Sequence, residues 1–559
     1  MPRTLVVGGG RAGQALRTYG CFDFSGGLDV VTNPIALANE NTGGSRNRLT
    51  EALNIVYNVD GSVSKRWGAQ LIGAPIGNPN PEFLGGTTFV KSTGENYLVV
   101  GFASGQIYYL QGGTLTGIAG GLVNRDRRYT FAVYNDTLYM GNAYDPPMQW
   151  DGVVGHVATA LGGGSPATTK QFMVHANRLF AITSAVPSRL YWCKLNNPSD
   201  WTGTDDAGFM DVNPNDNAIL KAIVPSVQEL ALLKTYRPYR LQGIGPVTGY
   251  TVANSLVPAV GSVGASGPTA AVFAGNDVWY MSQTGVHRLS ATDQFGDLTQ
   301  AVVSDRIEPY FRHHVDYAPY GVHYAPWRES NYQHQGDPQG DLKNSPVAVH
   351  DHFNNLLLFA QQSAPTVTAP YGPGCDRILV YDLRLKTWAE WQIYDATYGR
   401  QQITCLFNST NADLLPEIAV GTATSAVGAL VSLRRGVTSD YSVSRQDVVP
   451  VAAHVTHLSS LGAVDVRKCP RHLDLYFLPS STSVTITVEI FYDLHTTADV
   501  TTSFDLVNIL PESPIIKRID LGQHLCDVMA VRISNSGIGE NFRWVGYEVL
   551  WSTRRQIRR

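Results

Sequence analysis

The first stretch with a chemical signature lies at residues 6–13, which read VVGGGRAG and contain the pattern GxGxxG. Between a strand and a helix, this pattern binds the pyrophosphate of a dinucleotide at the helix N-terminus. Here the candidate helix, residues 12–19, has about two turns. No second strand ending in an acidic residue follows it. We therefore interpret residues 1–20 as a Gly/Arg-containing arm and expect no cofactor, with a nucleotide-dependent enzyme built on residues 5–13 as an alternative.

Histidines and aspartates crowd one loop-rich region and could bind a metal ion. They are His313, His314, His323, His334, His350 and His352, with Asp316, Asp337, Asp341 and Asp351. On a strand, His350 and His352 would point to one face. The spacings match no closed zinc pattern, so a polar loop or an inter-subunit contact is the favoured interpretation and a metal site is the alternative.

Asp- and Asn-rich loops could hold calcium through their side-chain oxygens. They contain Asp205, Asp206, Asp211 and residues 213–217, which read NPNDN. An EF-hand needs Gly at its sixth position and Glu at its twelfth, and that order is missing. Ordinary turn chemistry therefore explains these loops, and we predict no metal site.

Nucleophilic catalysis has no recognisable signature in the sequence. There is no GxSxG elbow, and no serine or cysteine lies in a known local motif. A carboxylate pair for glycoside hydrolysis would be distant in sequence, and no residue stands out for that role. We predict no catalytic residue and no enzymatic activity. The six cysteines lie far apart, which favours reduced thiols in a protein assembled in a cytosol: Cys21, Cys193, Cys375, Cys405, Cys469 and Cys526.

Basic residues are scattered rather than concentrated on one element. They occur at residues 125–128 (RDRR), 434–435, 554–555 and 558–559, and the net charge is −4. A sequence-specific DNA-binding protein would place its base-reading side chains on one element. We interpret these groups as solvated loop charges or subunit contacts, with some of them facing phosphate as an alternative.

The composition predicts an all-β chain, because only 16% of residues are charged while Gly (54) and Tyr (27) are abundant. From residue 83 onward, short alternating runs end in Gly, Asn or Asp, as in residues 97–101, 106–110 and 130–134. A turn followed by an "xLYxx" strand recurs irregularly, which favours the small, radially arranged antiparallel sheets of a β-propeller. A two-sheet sandwich is the alternative for this body.

Residues 435–451 have no sustained pattern and are typical of a linker. Beyond them, alternating runs at residues 471–477, 483–492, 528–534 and 542–551 predict an antiparallel β-sandwich-like domain. The predicted domains are an N-terminal arm with leader strands (1–75), a β-propeller-like body (76–440) and the C-terminal domain (450–559). No signal peptide is visible, and the longest uncharged run, residues 241–276, is broken by Gly and Pro. We expect a soluble chain without a membrane-spanning segment.

Five phrases carry a resemblance to a known family, and they occur in the family's order. The first is the leader, residues 22–68, with FSGGL at 24–28 and the turn and exit DGSVSKRWG at 60–68. The others are LYMGN at 138–142 with DPP at 145–147 and WDG at 150–152; HANRLF at 175–180; RLYW at 189–192 with NPSDW at 197–201; and GSVG at 261–264 with VWYMSQTGVHRLS at 278–290. The chain resembles the tail nozzle (tail tubular protein B-like) and packaged-DNA stabilisation proteins of short-tailed bacteriophages.

The resemblance implies a non-enzymatic, propeller-containing subunit of a virion tail. Such a subunit forms a ring, usually a hexamer, below the portal and adaptor proteins, near tail fibres or spikes. The ring is the distal exit channel for packaged double-stranded DNA, which it retains until infection without reading its sequence. Assembly would occur in the bacterial cytoplasm. A mildly acidic subunit suits a sliding conduit, and exposed Tyr, Trp and Arg would suit subunit interfaces. The alternative is a carbohydrate-binding or glycan-degrading host-recognition β-protein.

Overall fold

The computed structural model describes residues 4–5, 16–74, 76–77, 82–111, 113–119, 122–123, 127–202, 206–226, 229–243, 256–282, 284–291, 298–311, 345–361, 375–395, 399–411, 415–423, 427–440, 449–463, 466–479, 483–507, 514–522 and 524–553. The chain divides into two compact units. The leader unit comprises residues 1–69, 379–399 and 434–559, and the propeller unit comprises residues 70–378 and 400–433.

Small antiparallel sheets of consecutive strands make up the propeller unit, and we number them as blades 1 to 7. Blades 1 to 5 have four strands each, paired in chain order. Their strands are Phe83–Val90, Asn96–Phe102, Ile107–Gln111 and Thr114–Ala119; Thr130–Tyr134, Thr137–Gly141, Met148–Trp150 and Thr159–Ala160; Thr169–His175, Arg178–Thr183, Arg189–Trp192 and Gly208–Asp211; Leu220–Pro225, Leu230–Lys234, Pro238–Leu241 and Leu256–Pro258; and Ala271–Ala274, Asp277–Met281, Val286–Ala291 and Leu298–Val302. Blade 6 begins with the hairpin Val347–Asp351 and Leu356–Gln361, and blade 7 contains Gln402–Thr410, Pro416–Ala423 and Val427–Leu433. Short 3₁₀ turns lie at Pro268–Ala270 and Asp305–Tyr310.

The first strands of the blades contact one another in a closed cycle. Each touches the first strand of the next blade, and that of blade 7 touches that of blade 1. The chain entering the unit also reaches the last blade, because the Ile72 amide donates to the Leu430 carbonyl at 2.8 Å and Ile76–Gly77 pairs with Val427–Leu433. Within the described residues, this arrangement is a seven-bladed β-propeller closed by N-terminal strands. The irregular repeat spacing had left the blade number open.

Apolar side chains fill the spaces between neighbouring blades. Trp150 of blade 2 stacks on Tyr109 of blade 1, with ring centroids 5.3 Å apart. Further buried clusters join blades 2 and 3, 3 and 4, 4 and 5, and 7 and 1. Because both faces of a blade are covered, the strand Arg178–Thr183 is buried at every position.

Tryptophans are buried in both units, so the expectation that they lie at exposed subunit contacts is wrong for the described residues. Trp67 is half-buried. The other described tryptophans are buried: Trp150, Trp192, Trp201, Trp279, Trp388, Trp391, Trp544 and Trp551. A tryptophan side chain suits a buried site, because it has a large apolar area and its single N–H group can donate to a carbonyl. Trp391 Nε1 donates to the Ile55 carbonyl in this way, at 2.7 Å.

Two sheets form most of the leader unit. One contains Thr4–Leu5, Leu16–Cys21, Phe542–Thr553, Lys468–Pro479 and Ile515–Asp520, with the hairpin Ile55–Tyr57 and Val63–Lys65 at its side. The other contains Gly27–Leu28, Thr387–Trp391, Arg48–Leu53, Ala453–Ser459, Met529–Asn535, Ser483–Tyr492 and Val500–Val507. Arg377–Asp382 precedes Thr387–Trp391, and the pairs Tyr394–Asp395 with Gly399–Arg400 and Ser439–Asp440 with Val449–Pro450 are short. Aromatic contacts join the two sheets. The ring centroid of Phe477 lies 6.1 Å from that of Phe504, and the ring centroid of Phe24 lies 4.4 Å from that of Trp544 and 5.6 Å from that of His457.

The structure confirms the all-β fold class, with a β-propeller of small antiparallel sheets. The sandwich-like sheet pair of the leader unit is mostly antiparallel, but Arg48–Leu53 pairs in parallel with Gly27–Leu28 and with Thr387–Trp391. The predicted segments 1–75 and 450–559 both fall largely in the leader unit, and 76–440 is shared between the units. The candidate helix of the cofactor alternative is absent where the structure describes it, because residues 16–19 belong to the strand Leu16–Cys21. The described α-helix is Pro34–Glu40 instead, where Asn33 caps the amide of Ile35 and proline occupies the first turn.

Candidate functional site

The GxGxxG motif lies outside the described residues, but its surroundings bear on the cofactor hypothesis. The chain that follows it is the strand Leu16–Cys21, which pairs with Phe542–Thr553. A dinucleotide fingerprint requires a helix at that place, because the helix N-terminus holds the pyrophosphate. The described neighbourhood therefore lacks the element on which the cofactor hypothesis depends.

Of the histidine-rich region, the structure describes His350, Asp351 and His352. The two imidazole rings lie 4.1 Å apart, with His350 buried and His352 exposed. Burial, aided by the neighbouring His352, lowers the pKa of His350 to about 4. A zinc site needs three or four ligands. The described residues contain no group of three His, Cys, Asp or Glu side chains placed for a metal ion. The remaining members, residues 313–341, lie outside the described part.

The Asp/Asn loop of blade 3 surrounds a cation that the chain itself supplies. Lys234 is fully buried, and its Nζ donates to the carbonyls of Val212 (2.7 Å) and Asn213 (2.9 Å) and to Asp216 Oδ1 (2.5 Å). Asp211 pairs instead with Arg189, at 2.6 Å. The oxygen-rich loop that could hold calcium is thus organised around a lysine ammonium group.

Among the scattered basic groups, Arg128 does not fit the interpretation as a solvated loop charge. It is 1% exposed and donates to the carbonyls of Thr404 and Ser345. Burial lowers the pKa of its guanidinium. Arg128 therefore ties together backbone segments of the propeller and is unavailable to phosphate. Arg435, in contrast, is exposed and stacks over Trp67, 5.4 Å from the ring centroid.

A cysteine, a histidine and a tyrosine meet inside the leader unit, an arrangement that the sequence did not reveal. Cys21 Sγ lies 3.8 Å from His457 Nε2, and His457 Nδ1 lies 2.8 Å from the Tyr547 hydroxyl. Such a chain could activate a thiolate in an open site. Here all three are fully buried. Burial raises the pKa of Cys21 and lowers that of His457 to about 3, so the thiol and the imidazole both stay neutral. These three side chains are packed inside the sandwich, where a substrate has no access to the thiol.

The basic-aromatic exit of the leader is also internal. The side chains of Arg66 and Asp440 are both 0% exposed. Arg66 Nε donates to Asn54 Oδ1 (2.9 Å), Nη1 to Asp440 Oδ1 (2.9 Å) and the Trp67 carbonyl (2.7 Å), and Nη2 to Asp440 Oδ2 (2.6 Å) and the Gln392 carbonyl (2.6 Å). All five guanidinium N–H groups have an acceptor. We call this network the Arg66 latch, because it joins the three chain segments of the leader unit.

Two glycine positions of the leader require glycine for steric reasons. A Cβ on Gly26 would lie 2.3 Å from the Arg46 carbonyl oxygen. Gly61 has φ of +86° beside Asp23, and glycine adopts such angles at no steric cost. The leader is therefore a structural segment whose motif residues serve turns and close packing.

No model of a protein family matches this sequence, and neither does the sequence of any curated protein. Solved structures that align include the β-propeller domain of Cps50 (Swd1) from Myceliophteria thermophila, at 8% identity over 65% of this chain and 99% of the other (TM-score 0.38). The N-terminal domain of Nup159 aligns at 10% identity over 68% and 99% (0.37), and the computationally designed Ika8 protein at 11% identity over 65% and 99% (0.35). Because these TM-scores are low, the fold is assigned from the sheets of the chain itself. In the described part of the chain, no helix has the length and apolar character needed to cross a membrane.

Proposed function

We propose that this chain is a structural subunit of a bacteriophage virion tail, a nozzle or hub whose copies form a ring around the DNA exit path. The observation that carries the proposal is the seven-bladed propeller itself. The first of the five phrases that resemble the family forms the leader, and the other four lie in blades 2, 3 and 5 and in the link into blade 5. A propeller-bearing subunit is the architecture that the resemblance implies.

The charge distribution supports a conduit through which DNA slides. A protein that grips duplex DNA neutralises phosphates with accessible Lys and Arg. The net charge of this chain is −4. Several arginines lie among its largest fully buried side chains, namely Arg66, Arg128, Arg178 and Arg377. Cations held inside the fold cannot bind phosphate, so the subunit would retain DNA by enclosing it rather than by binding it.

A structural role also agrees with the state of the thiols. The cysteines of the chain are all free and buried, as expected for a protein assembled in a reducing cytoplasm. Under this proposal the subunit is not an enzyme, assembles in the bacterial host and functions in the virion tail. Its partners are further copies of itself, most simply a hexamer, the adaptor and portal-proximal proteins, and tail fibres or spikes.

Negative-stain imaging and mass measurement of the purified full chain test the proposal, first alone and then co-expressed with the portal and adaptor proteins of the same genome. We expect rings of constant copy number, or incorporation of the chain at the distal end of a tail complex. Its position at the tip or behind further tail proteins would distinguish a nozzle from a hub. A folded chain that stays monomeric in both preparations would contradict the proposal, and near-UV circular dichroism checks that it is folded.

A further inference from the structure

An open polar cleft lies on the propeller unit, where blade 2 meets a loop of blade 3. Its volume is about 560 Å³, within the range of about 300–1,000 Å³ that is common for small-ligand sites. It is lined by Thr137, Tyr139, Gln149, Asp151, Gly155, His156, Val157, Thr159 and Ser199. Polar side chains dominate this lining, which distinguishes the cleft from the apolar spaces between the blades.

Both walls of the cleft are fixed by hydrogen bonds to the fold. Trp150, buried between blades 1 and 2, donates from Nε1 to the His156 carbonyl at 3.1 Å. On the opposite wall, Trp201 Nε1 donates to the Pro198 carbonyl at 2.8 Å, and its amide donates to the Gly163 carbonyl at 3.0 Å. The backbone at these anchors is therefore held in place before a ligand arrives, which lowers the entropy cost of binding.

Several polar groups of the cleft have unused hydrogen-bonding capacity. Asp151 accepts from the Val153 amide (3.0 Å) and pairs with His156 Nδ1 (2.7 Å), and the two side chains are 50% and 61% exposed. Burial alone would raise the pKa of Asp151, but these hydrogen bonds outweigh it and the pKa is lowered. Within the described residues, the side chains of Gln149, Thr159 and Ser199 make no hydrogen bond, so the cleft presents free donors and acceptors beside an ionised carboxylate.

We propose that this cleft binds a neutral carbohydrate, a short segment of a surface glycan. Vicinal hydroxyls of a sugar donate to a carboxylate such as that of Asp151 and exchange hydrogen bonds with amide and hydroxyl groups of the kind Gln149 and Ser199 offer. Apart from His156, the lining has no basic side chain, which disfavours phosphate and acidic sugars. Polar atoms provide the larger part of its exposed surface, which disfavours a purely hydrophobic ligand.

Binding, rather than cleavage, is the activity that the lining supports. Glycoside hydrolysis by the common mechanism needs two carboxylates across the scissile bond. Asp151 is the one carboxylate among the lining residues. The inference goes beyond the proposed tail function and does not depend on it, since a glycan site could serve any host-recognition protein.

A printed array of neutral and anionic glycans, probed with the labelled full chain, tests the inference, and titration calorimetry with the best neutral oligosaccharide follows. We expect binding of a neutral glycan, weakened about tenfold or more by Asp151→Asn and by Gln149→Ala, as the loss of a charge-assisted or well-placed hydrogen bond implies. Thermal unfolding of each variant confirms that it is folded.

The chain offers a matched control in Asp520→Asn, which alters another exposed His–Asp pair outside the cleft, His472 with Asp520 at 2.6 Å. This variant should bind the glycan like the parent chain. Absence of any neutral ligand on the array would overturn the inference. So would equal binding by the cleft variants and the control, or binding confined to anionic glycans. Ring formation, measured on the same samples, reports on the tail proposal separately.

Discussion

Replacing Arg66 with methionine tests whether the Arg66 latch holds the leader unit together. The substitution removes five hydrogen bonds and leaves the carboxylate of Asp440, which is 0% exposed, without its cation. Within the described residues, the Asp440 carboxylate would keep one hydrogen bond, from the amide of Tyr394 at 3.2 Å. Breaking a buried ion pair by removing one partner costs about 3–5 kcal/mol. Because a whole domain is stable by about 5–15 kcal/mol, we expect the leader unit to lose a large part of its stability.

Guanidinium chloride unfolding measures the loss, and hydrogen–deuterium exchange assigns it to a unit. Peptides from residues 48–66 and 453–459 should exchange faster in R66M, while peptides from blades 3 and 4 should keep their protection. The double variant R66M/D440L should be more stable than R66M alone, because leucine removes the orphaned carboxylate. The control is R518M, which breaks an exposed pair with Asp474 whose two hydrogen bonds measure 2.7 Å each.

We expect R518M to unfold at nearly the same denaturant concentration as the parent chain, since exposed ion pairs contribute little to stability. A loss below about 1 kcal/mol in R66M would refute the assignment, because a fully buried and saturated guanidinium cannot be removed so cheaply. A double variant no more stable than R66M would locate the penalty outside the Arg66–Asp440 pair.

Three further predictions follow from other buried groups. Burial raises the pKa of Cys193, Cys375 and Cys405 to about 11, so Ellman's reagent at pH 8 should label thiols only after denaturation, and rapid labelling of the native chain would contradict this. Burial lowers the pKa of His457 to about 3 from 6.5; the unfolded chain then binds the proton first, so between pH 6.5 and about 3 this group should lower the stability by about 1.4 kcal/mol per pH unit, and His457→Gln should reduce the slope of pH-dependent unfolding by that amount. Lys234→Met should cost blades 3 and 4 about 3 kcal/mol in thermal unfolding, and rescue by added calcium would show that the loop accepts a metal after all.

Local pattern predicted the strands well, because alternation and turn residues act within a few positions. Thr130–Tyr134 and Ser483–Tyr492 have the predicted bounds. The closure of the ring was not predictable in this way, since the amide of Ile72 meets the carbonyl of Leu430 across most of the chain. The helix Pro34–Glu40 was missed, although Asn33 and Pro34 carry an N-cap and first-turn signal.

Buried polar networks were the least predictable part, because their members are separated by hundreds of residues. Asp440 lies in a segment interpreted as a linker, yet it accepts two hydrogen bonds from Arg66. Cys21 and His457 are likewise 436 positions apart. No local pattern distinguishes such residues from solvated ones. Trp150, Asp151 and Ser199, at or next to the cleft, were noted in the sequence only as members of the family-like phrases. Their proximity in the structure depends on how blade 3 packs beside blade 2.

The positions of the family-like phrases limit what the resemblance can explain. Where the structure describes them, several of their defining residues are internal: Arg66 in the latch, Arg178 in blade 3, and Tyr280 in blade 5. These residues constrain how the chain folds, and a buried side chain cannot contact a neighbouring subunit or DNA. In the proposed ring, subunit contacts would use exposed positions instead, such as Tyr236 (61% exposed) and Phe353 (59% exposed). Two proteins could share the phrases, and with them the fold, while differing in every partner they bind, so assembly and glycan binding have to be tested on this chain's own surface.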